Sequence, residues 1–403
     1  MTLPGIPAEF LLFAAMLAGV ALFHRHALTV ALVGLAAVVL HQLTLGSFQG
    51  GAGLHALLMH FRHEWVTLGN LLALLLGFAL LARHFELSAI PDVLPRFLPD
   101  DWKGGLALLA LVFALSAILD NIAAAIIGGT MASVVFRHRV HVGFLAAIVA
   151  ASNAGGAGSV LGDTTTTMMW IEGVSPVDVL HAYVASAVAF VCFAIPASLQ
   201  QQRFAPIVRE ARAHVRIDWM RVACVVFILA VAVSVNLLVN LHWPQHADAF
   251  PFLGAAVWVA ILLTAPLRRP DWQRLPEAAR GASFLIVLVA CASLMPVEAL
   301  PAASWQTALG LGFVSAVFDN IPLTKLALDQ GGYDWGFLAY AVGFGGSMVW
   351  FGSSAGVAIS TQFPQARSVG AWLRASWYVA VAYVAGFLVM LAVPGWQARA
   401  AMS

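Results

Sequence analysis

The chain has 403 residues, of which 61% are hydrophobic and 10% are charged, and its formal net charge at pH 7 is +1. Soluble domains carry roughly 25% charged residues, so this composition excludes a soluble globular protein. A net charge this close to zero gives no reason to expect a nucleic-acid partner. Because apolar segments recur from end to end, we expect one polytopic membrane domain.

A membrane-spanning helix needs about 20 apolar residues. Segments that fit this template are 8–24, 27–45, 66–83, 178–198, 219–241, 249–265, 282–297 and 370–394. Segments 105–136 and 304–330, called here the hairpin segments, and 143–172 and 335–361, called here the broken segments, are apolar but interrupted in their middle. The first spanning segment lacks a basic n-region and a cleavage site, which favours a retained helix over a signal peptide.

Basic residues select a topology, because arginine and lysine collect in cytoplasmic loops. If the hairpin segments are re-entrant and the broken segments span the membrane, one side holds Arg25, Arg83, Arg96, Lys103, Arg137, Arg139, the cluster Arg203 to Arg221, Arg268, Arg269, Arg274, Arg280, Arg367 and Arg374. Arg62 and Arg399 fall on the other side. A spanning helix in place of either hairpin would scramble this partition. The charges therefore predict re-entrant hairpins and place both termini outside the cytoplasm.

The same order of elements occurs twice: three helices, a hairpin, a broken helix and a final helix. This repetition predicts an N-terminal repeat (1–200), a cytoplasmic linker (201–218) and a C-terminal repeat (219–403). The first hairpin opens from the cytoplasm and the second from outside, so the repeats have inverted topology. The predicted fold is an all-α polytopic membrane protein with two inverted-topology repeats, an architecture that places transporter sites near the membrane midplane.

Glycines keep a common register in the two broken segments. A shift of 190 residues aligns Gly155 with Gly345, Gly156 with Gly346, Gly162 with Gly352, Asp163 with Ser353 and Thr164 with Ser354. Glycine in a helix interior is less favourable than alanine by roughly 1 kcal/mol, so these clusters indicate unwound backbone. Unwound backbone at membrane depth is tolerated where protein buries it or where it lines a wet cavity.

An aspartate-asparagine pair lies at the centre of each hairpin segment, at Asp120 and at Asp319. Both residue types are good N-caps for the second half of a hairpin. Serine or threonine would cap as well, whereas a carboxylate at the membrane centre costs about 2.5 to 3.5 kcal/mol on insertion scales. We therefore expect these carboxylates to bind a cation in addition to capping. Asp163 has the same two interpretations, as N-cap of a helix from Thr164 and as a ligand.

Carboxylate, amide, hydroxyl and backbone carbonyl oxygens suit a small hard cation such as Na+, by extension of the preferences of Ca2+ and Mg2+. In each repeat the hairpin tip and the broken helix are predicted to form one cage. The first cage comprises Asp120, Asn121, Asn153, Gly155, Asp163, Thr164 and Thr165, and the second comprises Asp319, Asn320, Thr324, Gly345, Gly346, Ser353 and Ser354. Burial and like charge favour a protonated carboxyl group and a bound cation favours an ionised one, so such a site can hold either a cation or protons.

Lys325 lies nearly two helical turns beyond Asp319. It can neutralise Asp319, act as an internal cation in the second cage, or extend to the outer surface.

The stretches "LSAILDNIAAAI", "ASNAGGAGSVLGDTTTTMMWIEG", "VSAVFDNIPLTKLA" and "GFGGSMVWFGSSAGVAI" resemble the NhaD-type sodium/proton antiporters. That family belongs to a larger ion-transporter superfamily, which also holds arsenite permeases and sodium-coupled dicarboxylate and citrate carriers. The resemblance implies an integral inner-membrane protein, often homodimeric, that exports Na+ or Li+ for incoming protons by an elevator-like movement without a cofactor. Its partners would be the lipid bilayer and small cations. The chain departs from the family pattern at Lys325, where a small or apolar residue is expected.

Two other functions are compatible with parts of the sequence. A sodium-coupled organic-anion symporter on the same scaffold would have neutral hairpin tips and a cationic or amide-rich pocket, whereas these tips are acidic. An intramembrane aspartyl protease would use Asp120 and Asp163 as its catalytic pair. It would need neither Asp319 nor the repeated glycine register, so we expect a transporter rather than an enzyme.

Overall fold

The computed structural model describes residues 7–23, 26–44, 53–93, 97–207, 216–243 and 249–398. Within these ranges the regular secondary structure is helical, with no strand. The α-helices are α1 (Ala8–Leu22), α2 (Ala27–Thr44), α3 (Leu54–Glu86), α4 (Ile90–Val93), α5 (Trp102–Ser116), α6 (Asn121–Val135), α7 (Val142–Gly156), α8 (Thr164–Ile171), α9 (Pro176–Leu180), α10 (Ala182–Phe204), α11 (Trp219–His242), α12 (Phe252–Thr264), α13 (Leu275–Ala292), α14 (Trp305–Ser315), α15 (Asn320–Gln330), α16 (Trp335–Gly345), α17 (Ser354–Gln362), α18 (Val369–Ala375) and α19 (Trp377–Ala392). Arg25, Arg96, Arg399 and positions 208–215 of the predicted linker lie outside the described residues.

The protein is an integral, multi-pass membrane protein. Among the described residues, four helical segments are long and apolar enough to cross a membrane: Ala27–Thr44, Leu54–Glu86, Pro176–Phe204 and Trp272–Ala292. The pair α18 and α19 passes the same test as one span bent by 60°. Several shorter helices, such as α5, α6 and α7, are also apolar.

Some predicted spans have different limits in the structure. The segment 66–83 is only part of α3, which starts at Leu54, because the polar residues near the start of this helix lower the local hydropathy. The segment 370–394 is not one straight helix, since it bends between α18 and α19. Segment 178–198 is likewise divided at His181 into the short α9 and the long α10.

Each hairpin segment and each broken segment consists of two helices separated by a non-helical stretch. The pairs are α5 and α6, α7 and α8, α14 and α15, and α16 and α17. The interruptions occur where the sequence predicts them, next to the aspartates of the hairpins and within the glycine clusters of the broken helices. At these interruptions, backbone groups outside the helices lie close to polar side chains in the protein interior.

The helices pack as two groups. The outer helices are α1–α3 and α11–α13, in which α12 packs on α3, α2 packs on α13, and α3 packs on α13. The core helices are α5–α10 and α14–α19; here α10 packs along α19, α17 packs on α6 and α15 packs on α8. All residues of α16 are buried, as are nearly all of α7. The groups meet where α15 contacts α13 and α8 contacts α3.

Candidate functional site

The two hairpin aspartates begin the second helix of each hairpin segment. The Asp120 carboxylate accepts a hydrogen bond from the backbone N–H of Ile122 at 3.2 Å, and the Asp319 carboxylate accepts one from Ile321 at 3.0 Å. Both aspartates are therefore N-caps, which is the simpler of the two roles predicted for them. Capping occupies only part of each carboxylate, so oxygen atoms are left for other contacts.

Each hairpin tip also contacts the broken helix of its own half of the chain. Thr164 Oγ1 donates to Asp120 Oδ1 at 3.4 Å, and Ser354 Oγ donates to Asp319 Oδ2 at 3.3 Å. The structure thus brings together the residue pairs that the sequence assigned to each cage. The contacts have the same form in the two halves, with threonine in one and serine in the other.

A buried network of side chains joins the two predicted cages. The Asn121 amide donates to Asn153 Oδ1 at 3.0 Å and to Asp163 Oδ1 at 3.1 Å. The Asn153 amide in turn donates to Ser347 Oγ at 2.9 Å and to Ser353 Oγ at 3.1 Å, both in the other half of the chain. The sequence predicted two cages, whereas the hydrogen bonds connect them through Asn153. Ser347 was not predicted, because its role depends on a contact between residues far apart in sequence.

Asp163 has one carboxylate oxygen that the rest of the network leaves open. It caps α8 through the backbone N–H of Thr165. Asp163 Oδ2 and Thr165 Oγ1 are buried; the two side chains interact with each other, and neither atom has a further hydrogen-bond partner in the described part of the chain. Both atoms face Gly343 of α16: a Cβ added at Gly343 would lie 2.9 Å from the carboxylate oxygen and 3.8 Å from the hydroxyl. Both oxygen atoms therefore face the backbone of Gly343 between two broken helices.

The last two residues of the threonine run 164–167 form hydrogen bonds to backbone carbonyls. Thr166 Oγ1 donates to the carbonyl of Ser159, and Thr167 Oγ1 donates to the carbonyl of Val160. Their hydroxyls hold the non-helical stretch against the start of α8. Thr164 and Thr165 do not form these backbone contacts through their hydroxyls, and their assignment as ligands stays a prediction.

The second half of the chain is less acidic at the corresponding positions. Ser353, rather than an aspartate, caps α17 and accepts a hydrogen bond from the N–H of Gly356 at 3.3 Å. Asn320 is buried, and Thr324 Oγ1 donates to the backbone carbonyl of Asn320. Asp319 therefore provides the carboxylate among the predicted ligands of this half, against two in the first half.

The repeated glycines lie where backbone segments approach closely. A Cβ at Gly155 would overlap the carbonyl oxygen of Phe113 in α5, and a Cβ at Gly345 would overlap the carbonyl oxygen of Gly312 in α14. Similarly, a Cβ at Gly156 would lie 2.5 Å from the carbonyl oxygen of Gly162, and a Cβ at Gly346 would lie 2.5 Å from that of Gly352. Close packing therefore explains the common glycine register, and the Gly155 carbonyl also accepts a hydrogen bond from the Tyr183 hydroxyl.

Lys325 forms ion pairs with three carboxylates. Its Nζ lies 3.0 Å from Glu64 Oε2, 3.3 Å from Glu172 Oε1 and 2.9 Å from Asp329 Oδ1. The lysine is only 2% exposed, so it does not extend to the surface. The sequence did not predict Glu64 as a partner, because it precedes the predicted span 66–83 and lies far from Lys325 along the chain.

A cavity of about 510 Å³ lies between the outer helices and the core helices. Asp120, Asp319 and Ser354 lie on its wall, and Arg83 and Glu277 line it at a solvent-accessible end. Most of its other lining residues are apolar. Both hairpin carboxylates are therefore reached from one side of the protein through a single cavity.

No protein-family model matches the chain. Similar curated proteins are sodium/proton antiporter 2 of Arabidopsis thaliana, 27% identical over 329 residues (70% of this chain and 74% of the relative), and two proteins named Na(+)/H(+) antiporter NhaD. The one from Halomonas elongata is 25% identical over 291 residues (61% of this chain, 58% of the relative), and the one from Vibrio parahaemolyticus is 26% identical over 300 residues (62% and 71%). The predicted resemblance to NhaD-type sodium/proton antiporters is confirmed by these matches.

Proposed function

We propose that the protein exchanges Na+ or Li+ for protons across the inner membrane; the names of its relatives state sodium/proton antiport for those proteins. The observation that carries this proposal is the buried Asp163 carboxylate, whose Oδ2 faces Gly343 and which interacts there with the Thr165 hydroxyl but with no cationic side chain among the described residues. A buried carboxylate is stable when its charge is compensated. Either one proton or one monovalent cation can do this, so the two ions compete for the same oxygen atoms. Such competition couples export of one to import of the other.

The first cage is the proposed primary site. Asp163 Oδ2 and Thr165 Oγ1 would be direct ligands, and Asp120 and Thr164 lie next to them at the hairpin tip. The Asn121 amide holds the Asp163 carboxylate in place and also donates to Asn153 Oδ1, and the Asn153 amide carries the network to the second half. Na+ is the transported substrate in this proposal.

The predicted ligands of the second cage carry less negative charge than those of the first cage. Asp319 and Ser354 would contribute oxygen atoms there, but no second carboxylate corresponds to Asp163, since Ser353 occupies that position. The positive charge of Lys325 is directed at Glu64, Glu172 and Asp329. We propose that this cage assists ion entry and that the first cage binds the ion that is exchanged.

The proposed architecture comprises two inverted repeats with re-entrant hairpins. It is supported by corresponding contacts in the two halves: α12 packs on α3 as α2 packs on α13, and α17 packs on α6 as α8 packs on α15. Ser116 and Ser315 likewise each donate a hydrogen bond to a backbone carbonyl of the neighbouring broken helix, at Ser152 and Val342. An elevator-like movement would carry the core helices past the outer helices. A homodimer, predicted from the resemblance, would anchor the outer helices.

The cavity defines the proposed direction of access. Its solvent-accessible end carries Arg83 and Arg274, and arginine collects on the cytoplasmic side of membrane proteins. The structure would then correspond to a state open to the cytoplasm, with both termini on the opposite side. An organic anion is a poorer substrate for this cavity, because Asp120 and Asp319 on its wall would repel it.

Purified protein in liposomes with an imposed pH gradient tests the proposed exchange. Addition of Na+ or Li+ should collapse the gradient, because entry of the cation displaces protons from the acidic site. Citrate should have no effect in the presence or absence of Na+. Collapse of the pH gradient on addition of citrate, or a pH gradient that no tested cation changes, would contradict the proposed function.

Labelling of single cysteines tests the direction of access. In a chain whose native cysteines are replaced by serine, Ala79→Cys lies on the cavity wall and should react with an impermeant thiol reagent in inverted vesicles but slowly in right-side-out vesicles. Ala73→Cys, on the same helix but packed against Gly254 of α12, is the matched control and should be protected from both sides. Preferential labelling of Ala79→Cys from the non-cytoplasmic side would reverse the proposed orientation.

A further inference from the structure

The Lys325 ion-pair cluster lies on the opposite side of the hairpin tips from the cavity. The cavity contacts α3 only from Leu75 to Glu86, whereas Glu64 lies about three turns before Leu75 on the same helix. Between Glu64 and Glu86 a helix rises roughly 30 Å, close to the thickness of the hydrocarbon core of a membrane. On α15, Asp319 lines the cavity and Lys325 follows nearly two turns later, away from it. The ion-pair cluster therefore lies on the side of the hairpin tips to which the cavity does not open.

A separate apolar cluster lies between the ion pairs and the hairpin tips. It consists of Leu71, Met168, Leu285, Val289 and Ile321, all buried. These side chains come from α3, α8, α13 and α15, so the cluster is made jointly by outer and core helices. It forms an apolar layer across the boundary of the two helix groups.

The apolar layer and the ion pairs share helix faces. Ile321 precedes Lys325 by four residues, and Met168 precedes Glu172 by four residues, a spacing that stacks side chains on one face of a helix. Leu71 follows Glu64 by seven residues, which is again the same face. The boundary is thus closed by two successive layers, first apolar and then charged.

The partners of Lys325 fall into two kinds. Asp329 is on the same helix as the lysine, and Glu172 directly follows α8, which packs on α15 within the core helices. Glu64 is on α3, an outer helix. If the core helices move past the outer helices, Lys325 keeps Glu172 and Asp329 and loses only Glu64. Its charge is never left buried without a partner, which would strongly oppose the movement.

We propose that the ion pair between Lys325 and Glu64, together with the apolar layer, is the gate that closes the non-cytoplasmic side of the site. This inference rests on the proposed alternating-access function and adds specific gate residues to it. Glu64 is the partner that is released when the gate opens, and Glu172 and Asp329 stabilise the lysine in both states. These residues position the gate and do not contact the transported ion.

A charge series at Glu64 tests the gate. Met168→Cys, in the background without native cysteines, reports on the apolar layer through its labelling rate with an impermeant thiol reagent applied to right-side-out vesicles. In the parent the rate should be low, because Met168 is fully buried. The rate should rise in the order Glu64→Asp, Glu64→Gln, Glu64→Lys, since attraction to Lys325 is weakened, removed and then reversed. We expect at least a threefold increase for Glu64→Gln.

Glu172→Gln and Asp329→Asn are the matched controls, because each removes one carboxylate from Lys325 without touching the contact to α3. Their labelling rates should stay within twofold of the parent. Unchanged labelling in Glu64→Gln, or an increase of the same size in Glu172→Gln, would overturn the gate. The Asp and Gln variants suffice if the Lys variant does not fold, as judged by size-exclusion profile.

The labelling readout requires no ion transport, which keeps the two hypotheses separate. A charge-ordered labelling series in a protein that exchanges no cation would support the gate and contradict the proposed exchange. Cation exchange in a protein whose labelling rate does not change with substitution of Glu64 would support the proposed exchange and contradict the gate.

Discussion

Replacing Asp163 with asparagine should abolish cation-dependent proton exchange while leaving the fold intact. Asparagine caps helices as well as aspartate does, so the hydrogen bond to Thr165 that starts α8 can persist, as can the one from Asn121 to Oδ1. The change places an amide NH2 group where Oδ2 faces Gly343. That group can neither bind a cation nor exchange a proton, so we expect a loss on the order of 100-fold in rate, equivalent to about 2.7 kcal/mol.

The measurement is the collapse of a pH gradient by Na+ in proteoliposomes, with purified protein matched in amount. Asp101→Asn is the matched control, because Asp101 also caps a helix, α5, through its side chain but is exposed at the start of that helix. It should exchange ions at the rate of the parent. Full activity in Asp163→Asn would show that the charge of this residue is not used and would remove the main support for the proposed exchange.

Sequence patterns predicted the local features of this site well, because each depends on residues close together in the chain. Asp120 and Asp319 stood out as polar residues in apolar runs, and both do begin helices. The repeated glycines predicted the breaks in the broken helices, which Gly156 and Gly346 make possible by close backbone contact. Residue types alone were enough to locate these positions.

Features that depend on distant contacts were not predicted. The predicted span 66–83 left out the start of α3, and the ion pair between Glu64 and Lys325 joins residues far apart along the chain. The joining of two cages into one network required Asn153 to reach Ser347, a contact that no local pattern encodes. The interpretation of Lys325 as a partner of Asp319 considered the nearest acidic residue before it in sequence, whereas the fold places Glu64, Glu172 and Asp329 beside it.

One signal in the sequence identifies a residue that was not among the predicted ligands. The shift of 190 residues that aligns the glycine clusters also aligns Gly343 with Asn153. In the first half an amide fills this position, and in the second half the side chain is missing. The structure directs Asp163 Oδ2 and Thr165 Oγ1 at the space left by that missing side chain.

Replacing Gly343 with alanine should therefore weaken cation binding without unfolding the protein. The new Cβ would lie 2.9 Å from Asp163 Oδ2 and would occupy the space beside it. Alanine is favoured over glycine in a helix interior by roughly 1 kcal/mol, which offsets part of the steric strain inside α16. We expect the Na+ concentration for half-maximal exchange to rise at least about tenfold, equivalent to about 1.4 kcal/mol.

Gly310→Ala provides the control for the change from glycine to alanine. Gly310 is in the interior of α14, and a Cβ there would meet no atom within 4 Å. This variant should keep the parent's half-maximal Na+ concentration, and its melting temperature in detergent should be unchanged or higher. If Gly343→Ala raises the half-maximal concentration and lowers the maximal rate little, the space beside Asp163 is where the cation binds. An unchanged half-maximal concentration in Gly343→Ala would place the cation elsewhere in the network, because a site in this space cannot accept an added methyl group without loss of affinity.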